Sequence, residues 1–429
     1  MRNQVINNML VSKDMIEQAA ENLKGIAKRT PLQFCKRLSD KYKANIYFKR
    51  EDLQEVRSYK IRGAYNKMSS LSKQEKDIGV VCASAGNHAQ GVAYSCTLLK
   101  IKGVIFMPVI TPNQKIERVK HFGDGYVEIK LVGNDFEEAS IASKKYCREK
   151  KAVYIHPFDD PYIIAGQGTI GKEIYEDLNG KVDIIMVVIG GGGLISGIST
   201  YIKDKDLTAA RQGKKIKIIG AEPNGAAGMF HSLKNNQVTP LQAVDNFVDG
   251  CAVKTVGNLT FDICKKNVDK IVKMPEGQVC ATMIDLYQNE GIITEPAGAI
   301  SIAALEEIKN DIKGKNIVCV ISGSNNDLLR YPEILERSLV YQGKKCYFLI
   351  EFAQKPGQLK KFVNHVLTPR DDIVLFEYIK KNNKEKGPAL VGVEFKDKDD
   401  LDPMLQKLHR YGFNFTMIDD KELLYSYLI

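Results

Sequence analysis

Four short stretches of this chain gather residue types that could do chemistry. Ser58-Tyr59-Lys60-Ile61-Arg62-Gly63-Ala64 offers an amine. A lysine can form a Schiff base with a carbonyl compound once desolvation or a neighbouring field lowers its pKa, although a lysine taken alone is far more often a solvated surface residue. Ser84-Ala85-Gly86-Asn87-His88 follows a strand-like run and leads into helical spacing, the arrangement that aims backbone N–H groups at an anion. Its continuation to Gly91 begins like a nucleotide-binding P-loop, but Val92-Ala93 stands where Lys-Ser/Thr is required. His88 reads more readily as a residue that starts a helix than as a ligand, and no second histidine at metal-ligand spacing accompanies it. Gly190-Gly191-Gly192-Gly193-Leu194 again separates a strand from a helix, and side chains reduced to hydrogen let the backbone approach a phosphate. The third glycine of a dinucleotide fingerprint is missing, since Ile195 or Ser196 falls there. Ser322-Gly323-Ser324-Asn325 supplies a neutral hydroxyl, or is an ordinary polar turn.

The elements that must hold these stretches are legible from period. Between Lys43 and Ser324, apolar runs of four to eight residues alternate with amphipathic segments. Asn45–Phe48, Val80–Ala83, Gly103–Met107, Val127–Val132, Ala152–Ile155, Asp183–Ile189, Ile216–Ala221 and Ile317–Ile321 read as strands. Ser58–Leu71, Asn87–Leu99, Asn113–Phe122 and Phe136–Arg148 read as helices. Strands alternating with helices imply right-handed crossovers and largely parallel sheets. So many strands exceed one mononucleotide-binding half, which predicts two α/β lobes within residues 1–330, the smaller at about 55–155. All four stretches then lie at strand ends, where open α/β sheets bind ligands. Beyond Tyr331 the pattern becomes strand, helix, strand, strand, helix, strand: Lys345–Phe352, Leu359–Leu367, Ile373–Ile379, Ala389–Phe395, Leu401–His409 and Leu423–Ile429. That is a ferredoxin-like plan for a separate domain over 331–429.

Composition narrows the classes of function. The 429 residues are 44% hydrophobic and 27% charged, ordinary for a soluble globular chain. Apolar runs are too short to span a membrane, and the first twenty residues lack a secretory pattern. Nine cysteines form no C-x-x-C pair, which fits free thiols in a reducing cytoplasm. The net charge of +10 is spread over the first 330 residues without forming a tail. That suits an anionic ligand better than nucleic acid.

Taken together and in this order, the stretches resemble those of the fold-type II pyridoxal-phosphate enzymes, and most closely the threonine dehydratases. Ser58–Ala64 is similar to their Ser-Phe-Lys-x-Arg-Gly-Ala, with Tyr59 for the commoner Phe. Ser84–Gly91 matches Ser-Ala-Gly-Asn-His-Ala-Gln-Gly, Gly190–Leu194 matches the phosphate loop, and Ser322–Asn325 resembles Ser-Gly-Ala/Gly-Asn. The resemblance covers essentially the whole chain. It implies a tryptophan-synthase-β-like catalytic domain with pyridoxal 5'-phosphate held on Lys60. Asn87 would face the ring hydroxyl, Gly190, Gly191, Gly192, Gly193 and Leu194 the phosphate, and Ser322 the pyridine nitrogen. The substrate carboxylate would sit on the backbone of Ser84, Ala85, Gly86, Asn87 and His88. The implied reaction is deamination of L-threonine to 2-oxobutanoate and ammonia, the first committed step toward isoleucine, with Lys60 as catalytic base.

Departures from the family pattern sharpen the reading. Ala85 stands where serine racemases of the family carry a second acid–base serine. Glu222 and Ala226 resemble part of a cation site, but Gly228 replaces a carboxylate ligand found in some members. A monovalent ion or none is therefore expected there, Glu222 being otherwise a structural carboxylate. The C-terminal segment resembles an ACT-like regulatory domain. Lys355-Pro356-Gly357 matches its turn, and Phe376-Glu377-Tyr378 and Ala389–Val393 match its strands. This implies L-isoleucine as effector, while a role only in oligomer contacts stays open. A homodimer or homotetramer is expected from the family. Alternatives are a serine-preferring dehydratase, a β-replacement synthase, a non-catalytic amino-acid sensor, and a basic nucleic-acid-binding protein.

Overall fold

The computed structural model describes residues 11–208, 215–379, 384–418 and 428. The chain forms two compact units. The first takes in the residues up to Glu276 together with Leu286–Asp327, and the second Gly277–Asp285 and the chain from Leu328 onward. The division thus falls after Asp327, a little before the expected 330. Part of the helix Glu276–Glu290 groups with the second unit.

Among the described residues, ten strands of the first unit follow in chain order. They are β1 (Leu32–Phe34), β2 (Asn45–Arg50), β3 (Val80–Ala83), β4 (Gly103–Met107), β5 (Val127–Leu131), β6 (Val153–Tyr154), β7 (Ile184–Val188), β8 (Lys217–Pro223), β9 (Lys270–Met274) and β10 (Asn316–Ile321). One sheet has the order β1-β2-β10-β7-β8-β9 and is parallel except for β1. The other, β5-β4-β3-β6, is wholly parallel and lies between Val80 and Tyr154. Every residue of β3 and β7 is buried, because crossover helices cover both faces of a parallel sheet. That is why these runs lack polar alternation. β1 and β9 were not anticipated. β1 has three residues, and β9 carries Lys270 and Lys273 facing solvent at the sheet edge, so neither shows an apolar run.

The helix Lys60–Ser69 begins with the candidate lysine and packs against the helices Asn87–Leu99 and Pro161–Asp177. The approach is close. A Cβ on Gly91 would lie 3.1 Å from the Lys60 carbonyl carbon, and one on Gly166 only 2.5 Å from the Arg62 carbonyl oxygen. Arg62 points the other way, into a buried ionic cluster. Its Nε and Nη2 donate to the two oxygens of Glu51 at 2.8 Å each. Nη1 and Nη2 donate to Glu173 at 2.6 and 3.0 Å. Nη1 also reaches Thr169 Oγ1 at 3.0 Å, and Nη2 the Lys28 carbonyl at 3.1 Å. Lys49 Nζ completes the charge balance, 2.6 Å from Glu173.

The second unit folds as β11 (Lys345–Ala353), helix Gln358–His365, β12 (Asp371–Tyr378), β13 (Lys386–Phe395), helix Leu401–Arg410 and β14 (Asn414–Met417). Its antiparallel order, β12-β13-β11-β14, is the ferredoxin-like arrangement. Phe348, Ile350, Phe352, Val391 and Val393 face Phe362, Met404 and Leu408 in its core. Among the described residues the sheet ends at Asn414–Met417, a short strand paired with β11. Leu423–Ile429, expected as the last strand, lies outside the described residues apart from Leu428. Pro388 sits in β13 opposite Glu351, and β12 stops at the Tyr378–Ala389 pair, so the ladder on the far side is not asked for an N–H that proline lacks.

Replacing Arg62 by Ala leaves two buried carboxylates against one cation, which is expected to cost roughly 3–5 kcal/mol. Urea denaturation checks this. A loss below about 1 kcal/mol would mean that the cluster is not load-sharing in the way its geometry requires.

Candidate active site

The lysine stretch, the Ser84–His88 turn and the Ser322–Asn325 turn are tied into one network at the strand ends. The Tyr59 N–H donates to the Ser322 carbonyl at 3.2 Å, the Ser324 N–H to the Arg57 carbonyl at 2.9 Å, and Ser58 forms a bridge with Gly323. Asn325 Nδ2 donates to the Val56 carbonyl at 2.8 Å and to Asn87 Oδ1 at 2.7 Å. Asn87 Nδ2 donates to Glu295 Oε1 at 2.7 Å, and the Glu295 N–H donates to the Gly323 carbonyl at 3.2 Å.

The glycine stretch joins through two other segments. A Cβ on Gly190 would lie 3.1 Å from Cys251 Cα, and one on Gly191 2.2 Å from the Phe158 ring. Gly192 has φ +95°, a conformation that only glycine adopts without strain. The loop's carbonyls turn into the protein. That of Gly191 accepts from Thr260 Oγ1 at 2.7 Å, and that of Gly192 from the Ser196 N–H at 3.0 Å. The N–H groups of the first turn of Gly193–Thr208 have no partner within their own helix. Asp159 steadies this region by accepting from the N–H groups of Asn258 and Thr260, both at 3.1 Å.

Lys60 Nζ donates to the Pro157 carbonyl at 2.9 Å and sits 5.3 Å from the centre of the Tyr59 ring. Burial pushes its pKa down to about 8, against the weaker opposing pull of Cys251 and Glu295. Burial likewise raises Glu295 to about 7 and the Cys251 thiol well above its usual range. The site therefore combines an amine that is partly neutral near neutral pH with a carboxyl that retains some of its protons.

Ser84, Ala85 and Gly86 form the turn into Asn87–Leu99, with the Gly86 N–H donating to Ser84 Oγ at 3.2 Å. No side chain caps this helix, so its first N–H groups can meet an anion. The His88 ring turns away, its Nε2 within 2.9 Å of the Ile155 carbonyl, and burial depresses its pKa to about 3. Only the backbone of His88 is left to face a ligand; its side chain is a neutral structural group. Glu222 is fully buried and caps the short helix Gly228–Lys234, accepting from the N–H groups of Met229 at 2.8 Å and Phe230 at 2.7 Å. Those bonds favour its charged form, but burial outweighs them and raises it to about 8. Ala226 lies in the preceding 3-10 turn, Asn224–Ala226. Among the described residues no three His, Cys, Asp or Glu side chains are placed to hold a metal ion.

Sequence reading missed Glu295, Pro157 and Phe158, and quoted Asn325 without giving it a role. For Glu295 there was a signal: the one charged residue in the mostly apolar stretch Ile292–Ala304, where charge is rare unless it is used.

The site fits pyridoxal phosphate on three observations. The glycine cradle would be filled by any Cβ. Lys60 offers an amine of lowered pKa. Ser58 Oγ, two residues before Lys60 in the chain, and Thr294 Oγ1, adjacent to Glu295, are buried with no hydrogen-bond partner among the described residues, as groups awaiting a ligand would be. Comparison with known proteins agrees on this class. The family model of pyridoxal-phosphate dependent enzymes matches residues 23–323, and that of the C-terminal regulatory domain of threonine dehydratase matches residues 336–428. A relative described as L-threonine dehydratase biosynthetic IlvA, from Halalkalibacterium halodurans, is 50% identical over 96% of this chain and 97% of its own. One of the same description from Bacillus subtilis is 46% identical over 98% of each chain. The processed form of threonine deaminase isoform 2 from Solanum lycopersicum superposes with a TM-score of 0.70 and 38% identity, covering 77% of this chain and 96% of that one. The chain belongs to the biosynthetic L-threonine dehydratase family.

Because only the neutral amine attacks a carbonyl, uptake of pyridoxal phosphate by cofactor-free protein is expected to quicken as pH rises through about 8. Stopped-flow absorbance of the bound cofactor reads this. A midpoint near that of a free lysine, about 10.4, would contradict the buried setting of Lys60.

Proposed function

We propose that this chain converts L-threonine to 2-oxobutanoate and ammonia at the Lys60 site, and that its C-terminal domain makes the reaction sensitive to L-isoleucine. The observation that carries the first half is the single hydrogen-bonded network joining Lys60's loop, Asn87 and the Ser322 turn beside the glycine cradle. The second half rests on membership of the family and on a C-terminal unit that matches its regulatory domain.

Bound pyridoxal phosphate supplies an electron sink for the pair released when the substrate's Cα–H bond breaks. In this reading Gly190–Leu194 would hold its phosphate, Lys60 would bind it, Asn87 would donate to its ring oxygen, and Ser322 would meet its ring nitrogen with a neutral hydroxyl rather than a carboxylate. The uncapped helix start and the Ser84–His88 backbone take the substrate carboxylate. The Lys60 amine, once free, removes the Cα proton as general base, and its lowered pKa suits that task near neutral pH. Loss of the β-hydroxyl as water, then hydrolysis of the resulting enamine, balances to the ketoacid and ammonia. Ala85 adds no second proton carrier, which favours elimination over racemisation. Glu222 is left as a structural carboxylate beside the cleft. The chain is taken to act as a cytoplasmic homodimer or homotetramer.

Purified protein carrying cofactor is expected to form 2-oxobutanoate from L-threonine, to be slowed by L-isoleucine, and to lose at least about a thousandfold in rate as Lys60→Ala. Turnover unaffected by isoleucine would remove the regulatory half. Full activity in Lys60→Ala would remove the catalytic half.

A further inference from the structure

The side chain of Asn87 meets two partners of opposite kind. Asn325 presents N–H groups only, because one amide hydrogen is committed to the Val56 carbonyl and the other to Asn87 Oδ1. Glu295 presents an oxygen acceptor, Oε1, to Asn87 Nδ2. Glu295 is itself fixed. Its N–H is bonded to the Gly323 carbonyl, it precedes a helix begun by Pro296, and its side chain is buried. Turning the Asn87 carboxamide over would set N–H against N–H at Asn325 and oxygen against oxygen at Glu295. A carboxamide so placed has one orientation. After both bonds are made it retains a single uncommitted Nδ2–H.

We propose that Glu295 and Asn325 are positioning residues that lock the Asn87 carboxamide so that it presents a donor, and not its carbonyl, to the ring oxygen of the cofactor. This rests on the reading that Asn87 binds that oxygen. A donor stabilises the ionised ring hydroxyl, whereas the carbonyl of a reversed amide would repel it. The arrangement also accounts for a buried carboxyl so close to Lys60. Burial and Asp249 raise it, while Asn87, Lys115 and the Asn325 backbone N–H pull it down, so it keeps substantial carboxylate character around neutral pH. A permanently protonated acid could donate to Asn87 and would lock nothing. The two residues act through Asn87, and their removal should show in how the cofactor is held as well as in turnover.

The test is a double-mutant cycle on cofactor binding, read by titrating cofactor-free protein with pyridoxal phosphate and by the position of the bound cofactor's visible band. Glu295→Leu keeps the volume and removes the acceptor. It is expected to weaken binding about ten- to hundredfold and to shift the band. Glu295→Gln keeps an acceptor oxygen and should stay within about threefold of wild type. Asn325→Ala provides an independent loss of the lock, should one variant fail to fold by circular dichroism. In an Asn87→Ala background Glu295→Leu should add less than about twofold. An equal effect of Glu295→Leu with and without the Asn87 side chain would overturn the positioning role, as would no effect at all. Wild-type cofactor affinity and spectrum in Asn87→Ala alone would instead overturn the reading beneath it, and this inference with it.

Discussion

The helix that begins with the buried, partly neutral Lys60 is held by a neighbouring charge, Arg62, whose guanidinium is completely satisfied. Arg62, two residues on from Lys60, is clamped in a fork by Glu51 and Glu173, with Lys49 closing the charge balance. The fork joins the turn after β2, the helix Lys60–Ser69 and the helix Pro161–Asp177. Such clusters add little net stability over a well-packed apolar core, but they tolerate no substitute geometry. Here that intolerance fixes the axial position of the helix that begins with Lys60. Gly91 and Gly166, each holding a neighbouring helix within a Cβ's breadth of that helix, leave it no room to slide.

Around this anchor the site is electrostatically asymmetric. Burial depresses Lys60 and the two histidines, His88 and His156, while it raises Glu222, Glu295 and Cys251. The common effect is to disfavour charge in the cleft, where oriented N–H groups are also gathered: the glycine cradle, the uncapped start of Asn87–Leu99, and the Asn87 amide. An anionic cofactor entering such a region meets donors that need no reorganisation. Pro157 and Phe158 link the two ends of this region, one accepting from Lys60 and the other filling the space beside Gly191.

Much of the fold was readable because buried parallel strands write themselves as short apolar runs. β3, β4 and the helix Asn87–Leu99 have the boundaries that periodicity set for them. The four chemical stretches were equally plain, since glycine runs and polar turns after strands have few other uses. What stayed hidden is of two kinds. β1, β9 and β14 are short or carry solvent-facing lysines at sheet edges, and edge strands need no apolar stripe on both faces. Glu295 and Asn325 were obscured by distance along the chain. Asn87 is bonded to partners 208 and 238 positions away, and no local pattern reports a pairing of that separation. The His88 ring is spent on the Ile155 carbonyl, which leaves its backbone, the part the sequence reading assigned to the substrate carboxylate, at the turn.

The most direct test is to find where the cofactor is attached. Protein loaded with pyridoxal phosphate would be reduced with borohydride, digested and read by mass spectrometry. The account predicts a phosphopyridoxyl group on Lys60 and stoichiometric labelling of no other lysine. Stoichiometric label elsewhere, for example on Lys115 or Lys49, with Lys60 unmodified, would contradict it.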